Sequence, residues 1–313
     1  MNQVLREFRT HRVAEAPLLM GTCCSIQRVM TQELRDQFQS KGFIILRNLF
    51  SNEEVVEARE WLLSQDPAVL RKSWTETEPG VPLAVYSVIH ELTNPLGRIA
   101  SDERIARIAS DLMGVRTYIW ASKVNLKAAW CGAAEYYHQD FVYWKDRGYP
   151  SDQMLSCMVF MDSHSLSNAA LHVLPGTHHH GELDHEPFFN INGLSKWMIP
   201  PRDLQEYFET SGIEVVEGEP GDAVFFHASL IHGSGHNISP RNRMICLVQM
   251  NTFDNEPTNV EELSVSFNIR RATAELEEAE RRLHFFNKKL LRQRLATDVT
   301  FGAPIPREEQ KHH

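Results

Sequence analysis

A histidine and an aspartate stand two residues apart in His138-Gln139-Asp140, directly before Phe141-Val142-Tyr143-Trp144. In extended backbone, residues i and i+2 share a face, so the imidazole and the carboxylate would point the same way. Joined by a second histidine from a distant strand, they would make the facial triad that holds ferrous iron and leaves neighbouring positions open. Taken alone, His-x-Asp equally describes a hydrogen bond at a strand end. Farther along, Glu219-Pro220-Gly221-Asp222 reads as a turn entering the apolar run Ala223 to His227, and Leu230-Ile231-His232-Gly233-Ser234-Gly235 leaves it. A histidine beside glycines at a strand exit, His232, is well placed as the partner. Arg241 and Arg243 precede the run Met244 to Gln249, and a guanidinium near an iron centre can grip a carboxylate through two parallel hydrogen bonds. Such a centre would suit an anionic co-substrate.

Short elements must carry these groups. Arg116 to Lys127, Met154 to Met161, Leu171 to Leu174, Ala223 to His227 and Arg243 to Gln249 favour strand and are separated by Gly, Pro, Asn and Asp. Their spacing predicts a mostly antiparallel sandwich or barrel. Helices precede it. Thr31 to Phe38 leads into the apolar Gly42 to Leu46; Ser51 and Glu54 form a capping-box pattern; Ile105, Ile108, Ala109 and Leu112 recur at helical spacing before Gly114. The segment from Glu76 to Asn94, with two prolines, a glycine and no sustained period, reads as a surface loop. Asn268 to Ala296 keeps a seven-residue spacing through Ile269, Leu276, Leu283 and Leu290, which suits either a dimerisation helix or a helix packed on its own domain.

Composition narrows the classes. The chain has 313 residues, 42% of them hydrophobic, enough for a sizeable core. A formal net charge of −9 leaves no broad cationic face for nucleic acid or an anionic membrane. Ala14 to Ile26 is too short to span a bilayer, so neither membrane nor nucleic acid is expected as a partner. Five cysteines, with Cys157 and Cys246 inside apolar runs, suit reduced thiols and a cytoplasmic protein.

Taken in order, His138-Gln139-Asp140, Leu174-Pro175-Gly176-Thr177-His178, Gly221-Asp222 and His232-Gly233-Ser234-Gly235-His236-Asn237 through Arg243 resemble the phytanoyl-CoA dioxygenase family of iron(II)/2-oxoglutarate oxygenases. The likeness spans Thr31 to Asn251. It implies a mainly β fold with flanking helices around a double-stranded β-helix, a cupin-like jelly roll. The expected layout is a single oxygenase domain over 1–313, with N-terminal helices at about 28–113, the core at about 114–255 and a C-terminal helix at about 268–296. His138, Asp140 and His232 would bind Fe(II), and Arg243 would clamp the far carboxylate of 2-oxoglutarate with help from Ser234. Arg241 is the second choice for that clamp. His227 matches a family histidine that does not ligate. Lys123, Asn125 and Lys127 alternate on the strand before the motif, and Lys123 is taken as a further co-substrate residue. Tyr143 and Trp144 are placed in the substrate pocket, His178-His179-His180 is left outside the metal site, and residues 182–200 read as a lid or a plain surface crossing.

Because Asp140 is retained where halogenating relatives carry a small residue, the resemblance implies hydroxylation. Dioxygen and 2-oxoglutarate would be consumed, succinate and CO2 released, and an unactivated C–H of a small, polar metabolite hydroxylated. Two other readings use the same residues: a zinc or manganese hydrolase, and a non-catalytic jelly-roll binding protein.

Overall fold

The computed structural model describes residues 30–65, 74–78, 81–87, 89–130, 132–145, 148–189 and 195–258. In chain order the first elements are α1 (Gln32–Lys41), β1 (Phe43–Leu46), α2 (Asn52–Leu63), β2 (Trp74–Glu78), β3 (Val81–Ser87), α3 (Pro95–Ala100), α4 (Glu103–Met113) and β4 (Thr117–Lys127). There follow β5 (Glu135–His138), α5 (Phe141–Lys145), β6 (Met154–Phe160), β7 (Leu171–Val173), β8 (Glu186–Phe189) and β9 (Ser195–Met198). The last are α6 (Pro201–Ser211), β10 (Glu214–Val216), β11 (Ala223–His227), β12 (His232–Ser234) and β13 (Arg243–Thr252).

The helix signals act as their chemistry dictates. Ser51 Oγ accepts from the Glu54 N–H at 3.3 Å while the Glu54 carboxylate accepts from the Ser51 N–H at 2.7 Å, closing the capping box of α2. Gly114 ends α4 with φ of 69°, a left-handed turn that glycine takes without strain.

A seven-stranded sheet runs in the order β1-β11-β6-β13-β4-β3-β2 and faces a four-stranded sheet, β10-β7-β12-β5, with antiparallel pairing throughout. Side chains alternate between the two faces of the larger sheet. Ile44, Val124, Cys157, Val159, Cys246 and Val248 pack outward on α2, α3 and α4 through Val55, Ala58, Leu96, Ile105 and Ile108. Phe43, Met158, Phe160, Phe226, Ile245 and Leu247 point inward and meet Leu171, Val173 and Val216 of the smaller sheet. Every residue of β6 and β13 is buried, because both faces of these central strands are covered. Their sequences accordingly carry long apolar runs, Met244 to Val248 in β13 and a β6 broken only by Ser156. This is the expected jelly roll.

One expectation changes. The stretch from Glu76 to Asn94, read as a loop, contains part of β2 and all of β3, which extend the large sheet beyond β4. Pro82 lies in β3 opposite Glu76, beside a shift in register and before the pairing with β4 begins at Leu83, which is where a sheet tolerates proline. The heptad segment 268–296 lies outside the described residues. None of the described helices is long and apolar enough to cross a membrane.

Candidate metal and co-substrate site

Sheet register brings the two distant histidines together. His232 of β12 lies directly across from His138 of β5, and the backbone then turns into α5 so that Asp140 follows at the strand exit. Both His138 Nε2 and His232 Nε2 stand 3.7 Å from Asp140 Oδ1. The three ligand atoms lie within 4.8 Å of one another, so one ion can touch all of them. This is the only such group of three or more metal-binding side chains found among the described residues.

Each donor is aimed by a second contact. His138 Nδ1 is 2.7 Å from the Tyr136 carbonyl and His232 Nδ1 is 2.9 Å from the Leu230 carbonyl. A carbonyl only accepts, so both Nδ1 atoms carry the proton and both Nε2 lone pairs face the gap. Ser156 Oγ, fully buried on β6, donates to Asp140 Oδ2 at 2.7 Å and leaves Oδ1 for a metal. Burial and the neighbouring His138 push His232 down to about 4. Burial opposes ionisation of Asp140, but the pull of the facing His232 and His138, when they are charged, outweighs it and holds the carboxyl well below the usual range. Two neutral imidazoles and one carboxylate are the donor set that Fe(II) takes in a facial triad, so these residues fit the ion.

Next to the triad lies a sealed cationic recess. On the same inward face, Arg243 of β13 pairs in register with Lys127 of β4. The Lys127 ammonium donates to Ser234 Oγ at 2.6 Å and to the Gly235 carbonyl at 3.0 Å. Arg243 donates from one terminal nitrogen to the Ala169 carbonyl at 3.0 Å, and its Nε is buried with no partner. Lys127 and Arg243 are 2% and 3% exposed. Two cations this deep, one with an unused donor, call for an anion. Arg241 is exposed and contributes its carbonyl to a turn with Asn237 and Ser239. Geometry therefore places Arg243, and not Arg241, inside.

Lys123, the lysine chosen from sequence, sits on the same face two alternations nearer the triad, and its charge is among those that lower Asp140. The residue that meets Ser234 and Arg243 is Lys127 instead. Tyr143 meets His138 edge-on, ring centres 5.6 Å apart, and its hydroxyl accepts from the Trp197 N–H at 3.1 Å. Trp144 does not join it: it is 2% exposed and packs edge-on to Trp120 in a cluster with Phe141 and Tyr149. The reason is local, since α5 begins at Phe141 and residues three apart on a helix share a face. His227 accepts from the Ser229 N–H and packs near His178, outside the triad. His178 bonds the Gln39 carbonyl, while His179 and His180 are exposed.

Sequence reading passed over Gln139, Ser156, Glu135 and Lys196. The Gln139 amide is fully buried: it donates to the Gly181 and Ser229 carbonyls at 2.7 and 2.8 Å and accepts from the Leu183 N–H at 2.9 Å. It thus ties the strand-exit loop before His232 to the segment leading into β8. The β8–β9 hairpin then runs beside β5, with the Ile199 N–H bonded to the Tyr137 carbonyl. Within the segment 182–200, this covers an edge strand that would otherwise be open.

Residues 38–245 match the phytanoyl-CoA dioxygenase (PhyH) family. An ectoine dioxygenase of Bordetella parapertussis is 35% identical over 234 residues, covering 70% of this chain and 76% of that protein. An L-proline trans-4-hydroxylase of Streptomyces griseoviridis is 28% identical over 181 residues, covering 54% of this chain and 68% of that protein. Among solved structures, EctD from S. alaskensis with 2-oxoglutarate and 5-hydroxyectoine superposes with a TM-score of 0.63 at 28% identity, covering 73% of this chain and 78% of its own. The same protein has been solved with bound Fe.

Proposed function

Because the chain belongs to the phytanoyl-CoA dioxygenase family, we propose that His138, Asp140 and His232 hold its iron and that Lys127, Arg243 and Ser234 clamp its co-substrate. The enzyme is an iron(II)/2-oxoglutarate-dependent dioxygenase that hydroxylates a small polar metabolite. The observation that carries the residue assignment is the convergence of three donors within 4.8 Å beside two buried cations. His232 and Ser234 are two residues apart on β12, roughly 6.6 Å along a strand. That span suits a five-carbon diacid chelated at one end and clamped at the other.

The iron, with 2-oxoglutarate and dioxygen, supplies the oxidising power for C–H hydroxylation, and succinate and CO2 leave. The chain does the rest. Ser156 keeps Asp140 turned toward the ion, and the two carbonyl-bound imidazoles stay in one tautomer. Arg243 and Lys127 fix the co-substrate by charge and hydrogen bonds. Tyr143, tied to β9, stands beside His138 as a wall of the pocket. A hydrolase with the same three ligands has no use for two sealed cations. Reduced, buried Cys157 and Cys246 support a cytoplasmic setting.

The test is succinate release from 2-oxoglutarate by Fe(II)-loaded protein in air, with ectoine and L-proline as first substrates. Release should require iron and oxygen and vanish in Asp140→Ala. Release that persists in that variant would remove Asp140 from the site.

A further inference from the structure

The ions near the triad fall into two tiers. Lys127 and Arg243 form the sealed tier, 2% and 3% exposed. The second tier is an ion pair: Lys196 Nζ of β9 lies 2.6 Å from Glu135 Oε1 of β5, and these side chains are 22% and 30% exposed. Glu135 is no stray surface acid. It lies directly opposite Ser234 across the β5–β12 pair, on the face where Ser234 meets Lys127, three residues before His138. Lys196 is brought there by a hairpin that belongs to neither large sheet and is fastened one residue later, where the Trp197 N–H meets the Tyr143 hydroxyl.

This pair has bonding capacity to spare. Among the described residues Lys196 donates one hydrogen bond of three, and Glu135 accepts with one carboxylate oxygen of two. Holding two opposite charges partly out of water is expensive, and apolar side chains would wall the pocket at less cost. An uncharged substrate would offer either group hydrogen bonds but would balance neither charge. An anion would satisfy Lys196 and face Glu135; a cation would do the reverse. A molecule bearing both charges satisfies both, its N–H donating to Glu135 and its carboxylate accepting from Lys196.

We propose that Glu135 and Lys196 form the substrate-selecting subsite of this enzyme, and that the substrate is a small zwitterion whose cationic nitrogen binds Glu135 and whose carboxylate binds Lys196. The proposal rests on the iron and oxoglutarate reading above and names the class of metabolite that site takes. It makes Glu135 and Lys196 specificity residues that touch substrate, and it gives the hairpin a function beyond covering β5.

Calorimetric titration of the full chain, loaded anaerobically with Fe(II) and 2-oxoglutarate, tests it without turnover. The probes are ectoine, L-proline and the other free amino acids, each bound zwitterion being compared with its N-acetyl and amide forms, which keep one charge apiece. At least one zwitterion should bind, and each of its single-charge forms should bind at least ten-fold more weakly. Glu135→Gln and Lys196→Met should each weaken that zwitterion ten-fold or more and narrow its advantage over the analogue lacking the matching charge. Equal affinity for zwitterion and single-charge forms, unchanged affinity in both variants, or no zwitterion bound by a loaded site would overturn the proposal alone. Failure to load Fe(II) and 2-oxoglutarate at all would instead overturn the iron reading, and this one with it.

Discussion

Replacing Lys127 by methionine should weaken the co-substrate and spare the fold, and the two effects have separate origins. The Lys127 nitrogen makes two hydrogen bonds within the protein, to Ser234 Oγ and to the Gly235 carbonyl. Burial, and after it the charge of Arg243, pushes its pKa well below the ordinary lysine value. Methionine fills the same volume without charge. Losing two hydrogen bonds costs about 1 kcal/mol each. Removing a buried ammonium relieves a desolvation penalty of several kcal/mol in real proteins. The balance favours an empty protein whose melting temperature is unchanged or raised. Oxoglutarate, in contrast, loses a charge-assisted hydrogen bond worth about 1.5–3 kcal/mol, which is roughly a ten- to hundred-fold rise in its dissociation constant. Because the empty site depresses the lysine pKa and a dianion restores it, oxoglutarate binding to the wild type should also take up protons, and less so in Lys127→Met. Anaerobic titration with Fe(II)-loaded protein gives the affinity, calorimetry in buffers of different ionisation enthalpy gives the proton count, and thermal melting gives the stability. Oxoglutarate affinity within about two-fold of wild type would refute the clamp, since even the weakest such hydrogen bond predicts more.

Ser156→Ala frees Asp140 Oδ2 and should weaken Fe(II) binding about 10–100-fold, as outer contacts of metal ligands do, with Thr restoring most of it; metal titration reads this directly. Gln139→Leu leaves the Gly181 and Ser229 carbonyls without their buried donor and should cost about 3 kcal/mol of stability, measured as a lower denaturation midpoint. His232 is held at about 4 when folded and returns to 6.5 when unfolded, so below 6.5 the unfolded chain binds a proton that the folded one refuses. The metal-free protein should therefore keep this contribution above pH 6.5, lose about 3 kcal/mol progressively toward pH 4, and level off below it; a melting temperature that His232→Asn leaves equally steep over that window would assign the slope elsewhere.

What could be read from sequence follows one physical line. The central strands β6 and β13 are covered on both faces, so their apolar runs carried the fold, whereas His232, read at a strand exit, opens the short strand β12 with Gly233 inside it. The β2–β3 pair lacked that signal because it extends the sheet outward and admits Pro82. Trp144 was placed in the pocket with Tyr143 for its nearness to Asp140, but nearness in sequence does not choose a face; α5 turns Phe141 and Trp144 into the core while Tyr143 meets His138. A shift in register at Gln249 and Met250 disturbs alternation in the same way on β4, where the adjacent residues Trp120 and Ala121 both join the aromatic cluster.

The lysine proposed to clamp the co-substrate shows where local pattern ends. Lys123, Asn125 and Lys127 share one face by alternation alone, and nothing within β4 ranks them. What ranks them is the neighbour across the sheet: Lys127 is opposite Arg243, whereas Lys123 is opposite Leu247. Glu135 and Lys196 are farther still from any local pattern, because they are 61 positions apart and meet only when a hairpin outside both sheets lies along β5. The residues proposed to hold iron were legible because metal chemistry dictates residue types at a spacing a strand enforces. The groups proposed to choose the substrate answer to no such rule, so the same scaffold can change what it hydroxylates by exchanging one charge on β5 and one on β9 while His138, Asp140 and His232 stay as they are.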